Sequence, residues 1–330
     1  MPIQQTDSPT DKRPLVSFIV PVFNLPEEML RACVESVLAL ELEPSEREII
    51  VVDDGSDLSP ERMLSAFGKE VTYVRMANGG VSAARNEGLG RAKGRFVQFV
   101  DGDDRLLKGP YEHVLSLARK EDTDMVMFDF THSADTQAVY EDGAILSGTK
   151  LLQTCNIHGA AWSYLFRKEA AGHLRFTKGV AYGEDEEFTV GLLLRVGRVR
   201  QTSAQAYYYR ERPSSAIHAL DERRRQQRLE DNYGVIMRLK ELLDTLPAHQ
   251  QGALERRVAQ LTMDYIYNII MLNDSRSYLN QQIDRLREKG LFPLPRRSYT
   301  TKYTWFRRMT NTEIGRRLLC WLLPMTKKER

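Results

Sequence analysis

The sequence predicts an α/β fold, with a mostly parallel, Rossmann-like sheet flanked by helices and then a helical C-terminal region. Three features carry that reading. Short apolar runs alternate with stretches of helical spacing, the connections between them are short, and several runs stop abruptly at clusters of polar side chains. Residues 1–13 read as a flexible polar leader without the apolar stretch of a secretory signal. Residues 15–20 form an apolar strand stopped by Pro21. After Asn24, apolar side chains at Met29, Leu30, Cys33, Val34, Val37 and Leu38 keep helical spacing, with Pro26 and two glutamates at the expected start. Residues 48–52 are a second strand that ends at Asp53-Asp54-Gly55-Ser56. A short helix from about Pro60, a strand at 71–75, the loop Asn78-Gly79-Gly80 and a helix over 81–92 follow. Residues 96–100 form the next strand, which stops at Asp101-Gly102-Asp103-Asp104. Further on, 124–130 and 206–210 read as strands and 221–289 as mainly helical with a break near Pro247, before Pro293 and Pro295 open the tail.

Composition narrows the class. With 330 residues, 42% hydrophobic and 28% charged, the chain has enough apolar surface for a core. No apolar run approaches the roughly 18 residues of a membrane span. Three scattered cysteines, Cys33, Cys155 and Cys320, make neither a disulfide framework nor a metal-ligand spacing, so a reducing cytoplasm is expected. The net charge of +2 hides an asymmetry: residues 285–330 carry 13 Lys/Arg against 3 Asp/Glu. A basic tail on a mildly acidic body points to an anionic partner for the tail.

Ligands of parallel sheets sit beyond the carboxyl ends of the strands. Here those ends carry Asn24, the Asp53-Asp54 pair and the Asp101–Asp104 cluster. Carboxylates one residue apart can share a hard divalent cation with phosphate oxygens, although aspartates also cap ordinary turns. One carboxylate of Asp53-Asp54 could accept from a base or ribose, or serve as an Asx cap. The glycine loop before residue 81 can face an anion with its N–H groups, and Arg85 one turn inside could reach a diphosphate; a plain helix cap is the alternative. A Rossmann dehydrogenase needs G-x-G-x-x-G after its first strand, and both that motif and a Walker A loop are missing here.

Four pieces in order, Val20-Pro21-Val22-Phe23-Asn24, Val51-Val52-Asp53-Asp54-Gly55-Ser56-Asp57, Gly80-Val81-Ser82-Ala83-Ala84-Arg85-Asn86 and Phe99-Val100-Asp101-Gly102-Asp103-Asp104, resemble the N-terminal half of the family 2 glycosyltransferases of GT-A fold. Residues 182–188 resemble the acceptor-side E-D-x-x-F pattern, residues 207–215 the segment closing the catalytic core, and 292–295 the tails of surface-polysaccharide members. The resemblance implies a GT-A catalytic domain over 14–220, with a nucleotide-sugar half (14–110) and an acceptor half (111–220), then a helical region over 221–330. It implies Mn2+ or Mg2+ on Asp101 and Asp103, with Asp103 the direct ligand and Asp104 supporting. Asp54, or else Asp53, would contact the base of a UDP-type donor near Pro21 and Asn24. Asp101 and Gly102 would border the donor, Arg85 would face its phosphates or sugar, and Asp185 would be the general base. His218 falls where some such enzymes bind metal or diphosphate. The implied reaction is inverting, single transfer of a sugar to a hydroxyl of a growing bacterial surface glycan or lipid-linked saccharide.

Two alternatives stay open at this stage. A sugar nucleotidyltransferase would need a glycine-rich basic loop after the first strand, and a non-catalytic member would only bind glycan or membrane. Trp162 could stack on a sugar, or sit in the core beside Ala160, Ala161 and Leu165. The tail sets Trp305, Phe306, Met309, Ile314, Leu318, Leu319, Trp321, Leu322 and Leu323 among Arg307, Arg308, Arg316, Arg317, Lys327 and Lys328. That pattern suits peripheral contact of residues 303–330 with an anionic membrane, at the inner face of the cytoplasmic membrane, or a helix packed on the core. Nucleic acid is not expected, because the basic residues are interleaved with bulky aliphatics.

Overall fold

The first apolar run becomes β1 (Val16–Val22), buried at every position, as a strand covered on both faces must be. The computed structural model describes residues 13–120, 122–133, 135, 139–211, 221–272 and 275–325. In it β1 belongs to an eight-stranded sheet with β2 (Arg47–Asp53), β3 (Val71–Arg75), β4 (Phe96–Phe99), β5 (Arg105–Leu106), β6 (Met125–Thr131), β7 (Tyr164–Arg167) and β8 (Val199–Tyr208). The order is β3-β2-β1-β4-β7-β6-β8-β5. The strands β3, β2, β1 and β4 run parallel. β7 is antiparallel to β4 and β6, β8 is parallel to β6, and β5 is antiparallel to β8.

Two helices seal the parallel half. α1 (Glu27–Leu38) buries Leu30, Cys33, Val34 and Val37 in the same apolar cluster as Phe18 and Val20. After the short α2 (Glu61–Leu64), α3 (Val81–Arg91) covers the opposite face. Successive strand side chains point to opposite faces, so Ile19 meets α3, where a Cβ on Gly88 would stand 2.3 Å from Ile19 Cγ2. Each such fully buried aliphatic side chain contributes about 1.5–3 kcal/mol relative to exposure. α4 (Lys108–Lys120) adds Tyr111, Val114, Leu115 and Leu117 to the cluster.

The structure extends two of the expected strands. β1 runs on through Pro21 because its pairing with β4 ends at Ile19–Phe99, and a proline is tolerated where one ladder has already stopped. β8 begins at Val199, well before the expected 206; its Gln, Thr and Ser residues leave a half-exposed pattern that hides the strand. β5, of two residues, is too short to register as a separate run.

The described residues form two compact units. The sheet unit takes the chain up to Leu146, Ala160–Gly179 with α6 (Lys168–Ala171), and Arg195–Glu211. The helical unit takes Ser147–Gly159, Val180–Leu194 and the chain beyond Glu211. It therefore contains α5 (Gly148–Thr154) and α7 (Glu184–Leu193), which a cut at residue 220 would assign to the catalytic half. Their partners explain why: α5 packs on α9 (Ala248–Leu272), and α7 on α5 and on α8 (Glu222–Leu242). α9 also carries α10 (Arg276–Glu288), α11 (Thr301–Thr310) and α12 (Glu313–Met325). Among the described residues no helix is long and apolar enough to cross a membrane. All three cysteines are free thiols.

Candidate active site

β1, β2 and β4 are parallel neighbours, so their carboxyl ends lie side by side, and Asn24, Asp53-Asp54 and the Asp101–Asp104 turn gather at one edge of the sheet. Asn24 takes the left-handed conformation (φ 47°) that asparagine tolerates. Its N–H donates to Ser56 Oγ at 2.9 Å. Its side chain donates to Asp57 Oδ2 at 3.0 Å and accepts from the Asp57 N–H at 2.8 Å. The exits of β1 and β2 are thereby sewn together.

Asp53 and Asp54 both point inward. Asp53 accepts from the Ser56 N–H at 2.9 Å and from the Tyr73 hydroxyl at 2.7 Å. Asp54 accepts from the Gly79 N–H at 2.7 Å and the Gly80 N–H at 2.8 Å. Gly80, at φ 83°, then starts α3. Asp54 is thus the clamp that sets the glycine loop, with only 3% of its surface exposed.

The D-x-D turn is gripped from several sides. Arg85 is buried instead of lying on the surface; its Nη2 donates to Asp101 Oδ1 at 3.0 Å and its guanidinium lies 5.4 Å from the Phe176 ring centre. The Asp101 N–H donates to the Tyr207 hydroxyl at 3.0 Å, and that hydroxyl donates to Asp104 Oδ2 at 2.9 Å. The Arg210 N–H donates to Asp104 Oδ1 at 2.8 Å, and its Nε to the Asp103 carbonyl at 2.9 Å. A Cβ on Gly102 would stand 2.8 Å from Val22 Cγ1 and 3.0 Å from Leu25 Cδ2, so the turn presses on the end of β1 beside Pro21. Tyr207 and Arg210 lie within the 207–215 segment, where no local pattern marks a tyrosine or an arginine for this role. Asn86, which exchanges two hydrogen bonds of 2.9 Å with the Phe176 backbone, is likewise unmarked.

Burial and the charges of Asp101 and Asp103 push the Asp104 carboxyl up to about 8, against the hydrogen bonds from Arg210 and Tyr207. Burial first, then the same three carboxylates, also raise the Cys33 thiol. Such crowding of negative charge is what a cation would relieve. Among the described residues no group of three or more His, Cys, Asp or Glu is placed to hold a metal. Asp101 and Asp103 carry the carboxylates that would hold a divalent ion here. That all-oxygen set fits Mg2+ or Mn2+. His218 lies outside the described residues.

Trp162 is a core residue, stacked on Tyr207 at 4.4 Å between ring centres and 14° between planes. The helical unit holds Asp185, in the first turn of α7 after Gly183. Its acidic neighbours separate by partner. Glu186 pairs with Arg257 through contacts of 2.7 and 2.6 Å, Glu187 pairs with Arg238, and Phe188 is buried as the anchor of the turn. Beside this turn a cavity of about 350 Å3 is lined by Tyr182, Glu186, Asn232, Asp264 and Asn268, among others.

Comparison with known proteins places the molecule. Residues 17–169 match the pattern of "Glycosyl transferase family 2". The glycosyltransferase EpsJ of Bacillus subtilis is 30% identical over 235 residues, 65% of this chain and 67% of EpsJ. The minor teichoic acid biosynthesis protein GgaB of the same species is 26% identical over 71% of this chain, which spans 27% of GgaB. Staphylococcus aureus TarS 1-349, solved with UDP-GlcNAc, superposes with a TM-score of 0.68 at 17% identity, covering 91% of this chain and 89% of that one. The mannosyltransferase PcManGT of Pyrobaculum calidifontis, solved with GDP-Man and Mn2+, gives 0.53 at 14% identity over 99% and 91%. The sheet with its D-x-D turn is a GT-A fold. The chain belongs to glycosyl transferase family 2 and is a glycosyltransferase, which sets aside the nucleotidyltransferase alternative.

Proposed function

We propose that the protein transfers a sugar from a UDP-linked donor to a hydroxyl of a growing cell-surface glycan, with inversion at the anomeric carbon. The observation that carries the donor site is the meeting of the β1, β2 and β4 ends around Asp101 and Asp103. TarS was solved with UDP-GlcNAc and GgaB is named for teichoic acid biosynthesis, and both support the substrate classes by likeness.

Asp101 and Asp103 would hold Mn2+ or Mg2+, which when bound supplies positive charge to the departing diphosphate. Arg85 acts through Asp101, whose carboxylate it orients, while Tyr207 and Arg210 hold the turn by its backbone and by Asp104. Asp54 and Asp53 shape the base pocket by fixing the two loops that border it, with Pro21, Asn24 and Gly102 completing the wall. Asp185 takes the proton of the acceptor hydroxyl as its oxygen bonds to the anomeric carbon, and the bond to the diphosphate breaks with its electron pair on UDP. Glu186 and Glu187, tied to arginines, brace the turn that presents Asp185.

Calorimetry with UDP-, GDP- and dTDP-sugars, with and without Mn2+, tests the donor site. Metal-dependent binding of the UDP class, absent in Asp103→Ala, is the expected result. Wild-type binding of none of them, or equal binding by the variant, rejects the assignment.

A further inference from the structure

The expectation for the tail is divided by the structure. Phe306 and Leu319 turn into the helical unit, whereas Trp305, Ile314, Leu318, Trp321, Leu322 and Met325 are exposed. These six are most of the exposed bulky apolar side chains among the described residues; the others are Phe23, Leu58, Val139 and Tyr267. Two values show the degree: Ile314 is 73% and Trp321 63% exposed. On α12, Ile314, Leu318, Trp321 and Met325 follow one another at helical spacing, with Leu322 beside them. They form one stripe covering about 100° of the helix.

The stripe is held outward by the packing of the other side. Gly315 and Leu319 are buried, and a Cβ on Gly315 would meet the Met309 carbonyl oxygen at 2.1 Å. α12 thus sits against the end of α11 with its orientation set. Over 301–325 the chain has Lys302, Arg307, Arg308, Arg316 and Arg317 against Glu313 alone; Arg317 flanks the stripe and pairs with Glu313, while Arg316 turns back to the Thr310 carbonyl. Arg308 and Arg317 are exposed.

A contiguous apolar patch of this kind marks a contact surface, and its chemistry selects the occupant. A symmetric contact with a second copy would set the same basic rim against itself, like charge on like. A nucleic acid would pair with the arginines and leave the tryptophans and leucines unsatisfied. A bilayer with anionic headgroups satisfies both, because apolar side chains enter the headgroup boundary while arginines meet lipid phosphates.

We propose that the outward stripe of α12 docks the protein on the surface of an anionic lipid bilayer. The proposal is independent of the donor site and stands or falls without it.

The test is flotation of the full chain with vesicles of phosphatidylcholine alone and of phosphatidylcholine mixed with phosphatidylglycerol. Binding to the mixed vesicles is expected, weakening as salt screens the arginines. Tryptophan emission should shift to the blue on binding; Trp162 is already buried, and Trp321 is the tryptophan of the stripe, so the shift should be absent in Trp321→Ser. Leu318→Ser with Trp321→Ser should lower partitioning at least about tenfold. Arg308→Glu with Arg317→Glu should remove the preference for the anionic mixture. All four positions are solvent-exposed, and a melting temperature equal to wild type certifies each variant as folded. Failure of the wild type to float at low salt overturns the proposal, as does serine-variant binding equal to wild type. Concentration-dependent dimers that the serine substitutions dissolve, without vesicle binding, would overturn it in favour of a contact between copies.

Discussion

The sheet unit and the helical unit treat buried charge in opposite ways. At the strand ends, carboxylates converge on one another: Asp104 stands beside Asp101 and Asp103, and its pKa is pushed up to about 8 as a result of burial and that crowding. In the helical unit, the part-buried Glu186 and Glu187 are each matched to an arginine. Arg257 forks onto Glu186 and also donates to the Ile157 carbonyl, while Arg256 reaches the Leu152, Cys155 and Ser298 carbonyls. The first arrangement crowds three carboxylates around one turn, with Arg85 set against Asp101; the second sets one arginine against each of two glutamates. Unbalanced charge costs stability and is kept where chemistry needs it.

Four experiments probe that contrast. The largest effects should come from the proposed catalytic carboxylates, and should differ in kind. Asp103→Ala should abolish metal-dependent donor binding together with turnover, whereas Asp185→Asn should cut transfer by about 10²–10⁴ and leave donor binding unchanged. Calorimetry and a UDP-release assay on both variants separate the two; loss of donor binding in Asp185→Asn would refute its role as base.

Next is the helical brace. Arg257→Ala leaves the part-buried Glu186 without its partner and leaves the Ile157 carbonyl unpaired, and should cost about 2–3 kcal/mol, read by chemical denaturation. Arg257→Lys should recover little of that, because an ammonium cannot fork onto the carboxylate and reach Ile157 as well. Full recovery would reduce the pair to simple charge balance. A smaller loss is expected from Gly102→Ala, about 1–3 kcal/mol, as the added methyl forces Val22 and Leu25 aside. Its donor affinity should fall as well, since the turn carries Asp101 and Asp103; unchanged affinity would detach Gly102 from the site.

The smallest effect is a pH dependence far from the strand ends. Burial works to raise the Asp142 carboxyl, but hydrogen bonds from His113 and Thr202 and the charges of His113 and Arg200 outweigh it and hold the group below its ordinary 3.8. A depressed carboxylate contributes stability above its unfolded pKa and loses it as pH falls through the folded one. His113→Ala should therefore be less stable by under about 1 kcal/mol at neutral pH, with the gap closing under strong acid. A gap that persists in acid would trace instead to lost packing on Tyr140.

Much of the strand-end site could be read in advance because each of its acids terminates a local apolar run. Asp53, Asp54 and Asp101 sit one or two residues beyond a recognisable strand, and Asn24 four beyond. Their inward partners were not legible. Tyr207 reaches Asp104 across 103 positions and Arg257 reaches Glu186 across 71. Nothing local distinguishes these from any other tyrosine or arginine. Arg85 illustrates the limit: its place on α3 was visible, but its pairing with Asp101 depends on how α3 lies across the sheet. The tail was half legible, since its mixture of arginines with tryptophan and leucine announced an amphipathic segment, but packing decided which side faces outward.

The threading of the chain between the two units has a consequence for biosynthesis. α5 and α7 leave the ribosome well before α8 and α9, the helices that cover them. β8, which completes the sheet, follows both. The sheet unit cannot close until the nascent chain has passed about residue 208. The helical unit must then retrieve two segments made earlier. A fragment released at residue 220 would keep the acidic motifs and still display the sides of α5 and α7 that α8 and α9 cover.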